Sequence, residues 1–308
     1  MRLVAFQLKD ETNGQTARVG ALLGDGKSIL DFSRALETRE SGGERFRHNE
    51  LLSWFDLDGP LLPRARAVYE EVARGEKEFG VAQEMIVRRE NARLLAPVPR
   101  PGKIICIGLN YRDHAAESKM PTPERPVVFS KFTTAVVGPD EPIVVPEGSE
   151  RVDYEAELAV VIGRRAKRAT RERAFDYVLG YTNFNDVSER SFQFADGQWQ
   201  RGKSCDTFAP CGPFIATADE VPDPHKLAIR LLLNGVIMQD SNTENMIFGV
   251  AELIAFTSET ITLEPGDVIA TGTPSGVGFA RKPPVFLKRG DLVEVRINGL
   301  GTLSNPIH

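Results

Sequence analysis

Long hydrophobic runs are missing from this chain. Its apolar stretches are strand-sized, well short of the ~20 residues a membrane-spanning helix needs, so no transmembrane segment is expected. At the N-terminus only Leu3 to Phe6 separate Arg2 from Lys9 and Asp10, too little for the apolar core of a signal peptide. Cysteine is scarce. Cys106, Cys205 and Cys211 are odd in number and lack metal-type spacing, which argues against a disulfide framework and a cysteine-bound metal. They fit a reducing cytoplasm and a space-filling role. An excess of positive charge is also absent: 38 basic residues face 43 acidic ones, for a net charge of −5. Such a balance offers no field for a nucleic-acid backbone, and no basic run is interleaved with aromatics. The densest basic stretch, Arg164 to Arg173, reads as a solvated loop and helix start. No internal repeat or low-complexity tract is present. The expected partner is therefore a small molecule, not a nucleic acid or a membrane.

What remains is an ordinary globular composition. Of 308 residues, 41% are hydrophobic and 26% charged, enough for one large domain, or a large and a small one. Short strands are expected at Leu3–Phe6, Ala17–Leu22 and Ile29–Leu30, separated by the turn dipeptides Asn13-Gly14 and Asp25-Gly26, whose residues tolerate positive φ. Ala65, Val68 and Val72 recur at helical spacing near Pro63–Arg74. Alternating prolines at Pro97, Pro99 and Pro101 suit neither a helix nor a central strand. They mark a boundary between a small N-terminal domain with a helical linker (1–96) and a larger domain (97–308).

The larger part reads as mainly β. Strands are expected at Lys103–Ile107, Val127–Phe129, Ile143–Val145, Glu157–Ile162, Val178–Asn183, Phe214–Ala216, Ala228–Leu233, Val268–Thr271 and Leu292–Ile297. Asn234-Gly235 and Asn298-Gly299 signal hairpins, and Glu264-Pro265-Gly266-Asp267 a turn. One helix is expected from the apolar stripe Met246, Ile247, Val250, Leu253 and Ile254, capped by Asn242 or Thr243.

Gly197 to Ser204 satisfies a Walker A pattern, which has meaning only between a strand and a helix, where loop amides and the helix N-terminus cradle phosphate. Ser191 to Asp196 do not read as a buried strand, Asp206 to Pro213 cannot start a useful helix, and Trp199 is bulky for such a loop. The pattern is set aside, and Lys203 needs another explanation.

Glu155 and Glu157 enter an apolar strand two residues apart. If the strand extends through them, their side chains leave one face ~6.6 Å apart. Two such carboxylates resist desolvation unless a cation lies between them. Asp186 closes a second strand-like run. Three hard oxygen donors suit Mg²⁺ or Mn²⁺ better than Zn²⁺; the plain alternative is a solvated strand end. His114 and Glu117 lie three apart after the strand Lys103–Ile107. On one helical turn a carboxylate can orient an imidazole for general-base work; the alternative is an incidental surface pair. The loops around Lys203 and Thr273 are rich in donors that could meet an anionic substrate, although most of their glycines serve backbone geometry.

Taken together, these segments resemble the fumarylacetoacetate hydrolase family, of the acylpyruvase or 2-hydroxyhepta-2,4-diene-1,7-dioate isomerase type. The resemblance rests on five segments in the family's order: 108–114, 152–158, 180–186, 203–213 and 266–278. It runs from about Lys103 to the C-terminus. It implies a mixed α+β fold, mainly β, with a rolled mixed sheet and a small N-terminal α/β domain, usually homodimeric. It further implies Glu155, Glu157 and Asp186 as ligands of Mg²⁺ or Mn²⁺, with His114 and Glu117 as catalytic pair. Lys203 would lie beside the reacting atoms, Thr273 near the substrate carboxylate, and Tyr111 and Arg112 in reach of substrate. Cys205 departs from the aromatic common in the family. The leading expectation is hydrolysis of a C–C bond in a 2,4-dioxo acid, an acylpyruvate or diketo sugar acid, through a pyruvate enolate. Oxaloacetate-type decarboxylation or isomerisation of a 2-hydroxydienoate would use the same enolate. A metal-stabilised binding protein without turnover is the alternative of another class.

Overall fold

In the computed structural model, residues 1–10, 17–24, 26–37, 48–74, 83–195 and 197–308 are described. The turn expected at Asn13-Gly14 and the Asp25 half of the second turn lie outside them. One large mixed sheet organises the chain. From edge to edge it runs Ile86–Arg88, Ser28–Asp31, Arg18–Leu22, Arg2–Leu8, Ala209–Thr217, Val178–Asn185, Ala156–Ile162, Val268–Ala270, Ile104–Gly108 and Val127–Lys131. Most pairs are antiparallel, whereas Val268–Ala270 and Ile104–Gly108 are parallel, and the sheet is not closed into a barrel. The prolines at 97–101 lie between two stretches of chain whose strands share this sheet, because Arg2–Leu8 pairs with Ala209–Thr217.

The central strand Ala156–Ile162 is buried along its whole length, which is why its sequence from Leu158 onward is a continuous apolar run and not an alternation. Its two faces feed separate cores. Leu158 and Val160 pack with Ile229, Leu231, Val293, Val295 and Leu303, contributed by a second sheet of four strands ordered Val236–Asn242, Ala228–Leu233, Leu292–Ile297 and Thr302–Pro306. Ala159 and Val161 belong to the other core, with Leu61, Leu62, Ala65 and Val68 from the helix Leu61–Ala73. Each buried Leu or Val contributes about 1.5–3 kcal/mol to this three-layer stack.

Most of the expected elements form, with instructive exceptions. Ile143–Val145 makes only an isolated bridge, Ile143 to Ile307; its own amides are bonded, but the flanking prolines at 142 and 146 cannot donate and so cannot extend the pairing. The helix expected from Met246 starts at Val250. Asn242 instead caps a short turn, its side chain accepting from the Glu244 amide, while Met246 makes a bridge to Tyr111 and Ile247 lies in a bend before the helix. The hairpin at Asn234-Gly235 forms as expected, with φ of 51° and 80°, the mirror-image turn that asparagine and glycine tolerate. Among the described residues, no helix is long and apolar enough to cross a membrane.

Candidate active site

Sheet register brings the acids together. Ala156 pairs with Asn185 and Glu157 with Phe184, so one step further Asp186 falls opposite Glu155, and its amide donates to the Glu155 carbonyl at 2.9 Å. Ligand oxygens of Glu155, Glu157 and Asp186 lie within 4.8 Å of one another, all buried. This is the convergence expected from the sequence, and the oxygen-only donor set suits a hard divalent cation.

The surrounding charges are uneven. Lys203 Nζ donates to Glu155 Oε2 at 2.7 Å and to Asp186 Oδ2 at 2.8 Å. Lys131 Nζ donates to Asp186 Oδ1 at 2.5 Å and to the Val187 carbonyl at 2.9 Å. Arg190 contacts Glu155 Oε1 at 2.7 Å and donates through Nε to Asp153 Oδ2 at 2.8 Å. Burial pushes the Glu155 carboxyl up, but the Lys203 and Arg190 charges outweigh it and hold Glu155 well below the usual carboxylate range. Glu157 has no such partner among the described residues; the Gly272 amide donates to its Oε2 at 2.9 Å. Burial first, then the Asp186 and Glu155 charges, push Glu157 well above the usual range. That excess of negative charge is what a divalent cation would relieve, so the residues present fit the ion. Lys203, fully buried, is penalised by burial yet raised overall by Asp186 and Glu155, and stays an ammonium.

From the helix Arg112–Glu117, His114 lines the same cavity as Glu155 and Glu157, with Glu117 beside it. Asp113 anchors the helix, its Oδ1 accepting from the His114 amide and its Oδ2 from the Ser241 hydroxyl at 2.6 Å. His114 Nδ1 lies 3.6 Å from Glu117 Oε2, too far for a hydrogen bond, and finds no other partner among the described residues. The Gly276 amide donates to Glu117 at 3.0 Å. Burial raises the Glu117 carboxyl, but the His114 ring and the Gly276 amide reverse this and leave it below its ordinary value. A cavity of about 300 Å³ joins the two sides, lined by His114, Glu155, Glu157, Lys203, Arg190 and Thr273, a volume at the small end for a ligand site.

Not every expected residue reaches it. Arg112 spends its guanidinium on the carbonyls of Glu244 and Met246, at 3.2 and 2.8 Å. Tyr111 is fully buried within a hydrophobic core, and burial pushes its phenol well above the ordinary value. Neither lines the cavity, because Tyr111 ends the preceding extended segment and points into the core while Arg112 starts the helix on its outer side. Lys131, Asp153 and Arg190 were missed. A lysine ending an otherwise exposed strand carries no sequence signal of its burial, whereas Asp153 and Arg190 lie in or beside the segments 152–158 and 180–186. The Walker-like segment is not framed as a phosphate loop. Arg190–Ala195 is helical, not a strand, and the pattern's lysine points into the carboxylates. Cys106 and Cys211 are buried among apolar neighbours, and burial pushes Cys211 up to about 12.

The fold and this donor set together define a metal-site enzyme architecture, and comparison makes it specific. Residues 103–308 match the model of the fumarylacetoacetate (FAA) hydrolase C-terminal family, and the chain belongs to that family and is an enzyme. Among its relatives is the oxaloacetate tautomerase fahd2, mitochondrial, of Xenopus laevis, 44% identical over 315 residues, covering 100% of this chain and 90% of the relative. Fumarylacetoacetate hydrolase from the psychrophile Exiguobacterium antarcticum superposes with a TM-score of 0.78 at 34% identity, covering 100% of this chain and 99% of the other. Maleylpyruvate hydrolase from Sphingobium sp. SYK-6, solved with manganese(II) and pyruvate, gives 0.77 at 31%, covering 100% and 98%.

Proposed function

We propose that this chain interconverts the keto and enol forms of oxaloacetate, using Mg²⁺ or Mn²⁺ held by Glu155, Glu157 and Asp186. The observation that carries the reading is one cavity lined by Glu155, Glu157, His114 and Lys203, with Asp186 converging on the two glutamates. The full-length likeness to an oxaloacetate tautomerase supports oxaloacetate as the substrate. When bound, the cation supplies fixed positive charge against the oxygens of a 2-oxo acid. His114 removes a proton from C3 of the substrate through Nε2, its Nδ1 being turned toward Glu117. Glu117, ionised, offsets the charge gained by the imidazole. Lys203 faces the 2-oxo oxygen, stabilises the charge that collects there and supplies the proton that completes the enol. In the reverse direction the same groups exchange roles. General-base assistance of this kind contributes about 10²–10⁴-fold.

The hydrolytic reading that led from the sequence stands second. It is favoured by the likeness to two hydrolases at 34% and 31% identity, against 44% for the tautomerase. The two readings separate cleanly. Purified protein with Mn²⁺ is expected to speed the relaxation of oxaloacetate enol absorbance, with substrate mass unchanged and the effect abolished by chelator. Loss of carbon dioxide would instead mark a decarboxylase, and cleavage of an acylpyruvate into two acids a hydrolase. No acceleration with any of these would leave only a metal-stabilised binding protein. The working unit is proposed to be a homodimer, tested by light scattering on a sizing column. The frog relative is named mitochondrial, so either a cytoplasmic or a mitochondrial compartment suits the three free cysteines.

A further inference from the structure

Gln239 is out of place for its surroundings. It lies on the strand Val236–Asn242, an edge of the small sheet, where Val236 and Ile237 are 62% and 50% exposed. Gln239 itself is 1% exposed. A bulge accounts for this. Leu231 pairs with Gln239 but Leu232 with Ile237, so Met238 is an extra residue and the strand turns Gln239 inward, as bulges beside functional sites do. The bulge is locked from the other side. Arg281 donates to the Met238 carbonyl, and a Cβ on Gly276, whose φ is 100°, would lie 2.2 Å from that oxygen.

The buried amide has only one workable orientation. One end faces the Ala156 N–H at 2.9 Å, which can only donate, and so must be the oxygen. The other faces the Pro274 carbonyl at 2.9 Å, which can only accept, and so must be the NH₂. That NH₂ also donates to Thr273 Oγ1 at 2.9 Å. The threonine oxygen is thereby fixed as an acceptor, and its own proton meets no acceptor among the described residues. Thr273 is 5% exposed and lines the cavity beside Glu155, Glu157, His114 and Lys203. Ala156, the anchor of the amide, sits between two of the three acids.

We propose that Gln239 is a positioning residue that fixes the Thr273 hydroxyl as a hydrogen-bond donor into the cavity, aimed at the carboxylate of the bound oxo-acid. The inference rests on the reading above, in which a 2-oxo acid occupies this cavity. It assigns Gln239 no contact with substrate. Its effect passes wholly through Thr273, and it ties the loop that meets the substrate to the strand that carries the acids.

A double-mutant cycle on Mn²⁺-loaded protein tests this, with oxalate as probe because it offers the planar paired oxygens of a 2-oxo acid enolate without reacting. Calorimetry gives oxalate affinity, and steady-state kinetics give KM and kcat for oxaloacetate. Gln239→Met and Thr273→Val are each expected to weaken oxalate roughly tenfold, the worth of one hydrogen bond to a charged group. The pair together should lose no more than Thr273→Val alone. KM should rise more than kcat falls, and Thr273→Ser should bind as the parent does. Should Gln239→Met fail to fold, Gln239→Glu keeps an acceptor for the Ala156 amide and enters the same cycle. Losses that multiply in the double variant would overturn the proposal, as would parental oxalate binding in a folded Gln239 variant, or no oxalate binding by the Mn²⁺-loaded parent. An intact cycle in a protein without oxaloacetate turnover would uphold Gln239 and sink the tautomerase reading instead.

Discussion

The acid-rich wall of the cavity and the helix facing it are held in opposite ways. On the wall, Lys131, Lys203 and Arg190 bring cations within 2.5–2.8 Å of Asp186 and Glu155, and central strands fix the backbone. On the helix, six residues long, His114 and Glu117 stop 3.6 Å apart. The difference separates two tasks. A hard cation needs its oxygens in place beforehand, because moving buried carboxylates costs desolvation energy. A general base can tighten onto its partner once substrate arrives, so a loose distance in the free protein does not argue against the pair.

The comparison breaks most violently at Asp186. Removing it as Asp186→Ala leaves the Lys131 and Lys203 ammoniums buried without their shared carboxylate, at a cost of about 3–5 kcal/mol. Denaturant unfolding of the metal-free protein measures it; a loss below about 1 kcal/mol would show the lysines to be solvated. Glu157→Gln should behave differently, since no cation among the described residues pairs with that carboxylate and its charge is the least compensated. Metal-free stability is expected to hold or rise, while Mn²⁺ affinity falls at least about tenfold, the step worth ~1.4 kcal/mol. Equal destabilisation by the two variants would erase the distinction within the wall. Across the cavity, His114→Ala should keep Mn²⁺ and most of its stability yet lose about 10²–10⁴-fold in turnover. Full activity would remove His114 from its role.

The same contrast governs how much could be read from sequence. The acid triad was legible because Glu155, Glu157 and Asp186 lie at strand ends whose apolar runs announce themselves, and antiparallel pairing then does the rest. The lysine of the Walker-like pattern could be freed from that pattern by the missing strand, but only the fold shows Lys203 between two carboxylates. Lys131 was invisible, since it falls beyond the expected strand Val127–Phe129 and its partner Asp186 is 55 residues away. Tyr111 and Arg112 flank the pair His114–Glu117 in sequence, yet the start of the helix sends them elsewhere. The strand Val236–Asn242 was missed because exposed Val236 and Ile237 and buried Gln239 invert the usual pattern. A bulge breaks the period on which strand recognition depends.

The gentlest probe acts on the helix alone. Glu117 has a folded pKa below its ordinary value of 4.5, so its ionised form is favoured by the fold. A group lowered in this way stabilises the protein above the unfolded pKa, and the contribution drains away as pH falls through the folded value. Glu117→Gln is therefore expected to be less stable than the parent near neutral pH, and the gap should close as pH drops from about 4.5 into the acid range. Part of the Glu117 carboxylate meets solvent, and screening keeps the effect to roughly a few tenths of a kcal/mol. Denaturant midpoints of the two proteins, compared step by step in pH, read the gap directly. A difference that persists unchanged in acid would mean that Glu117 is held by shape and by the Gly276 amide, not by its charge, and could not then offset the charge of a protonated His114.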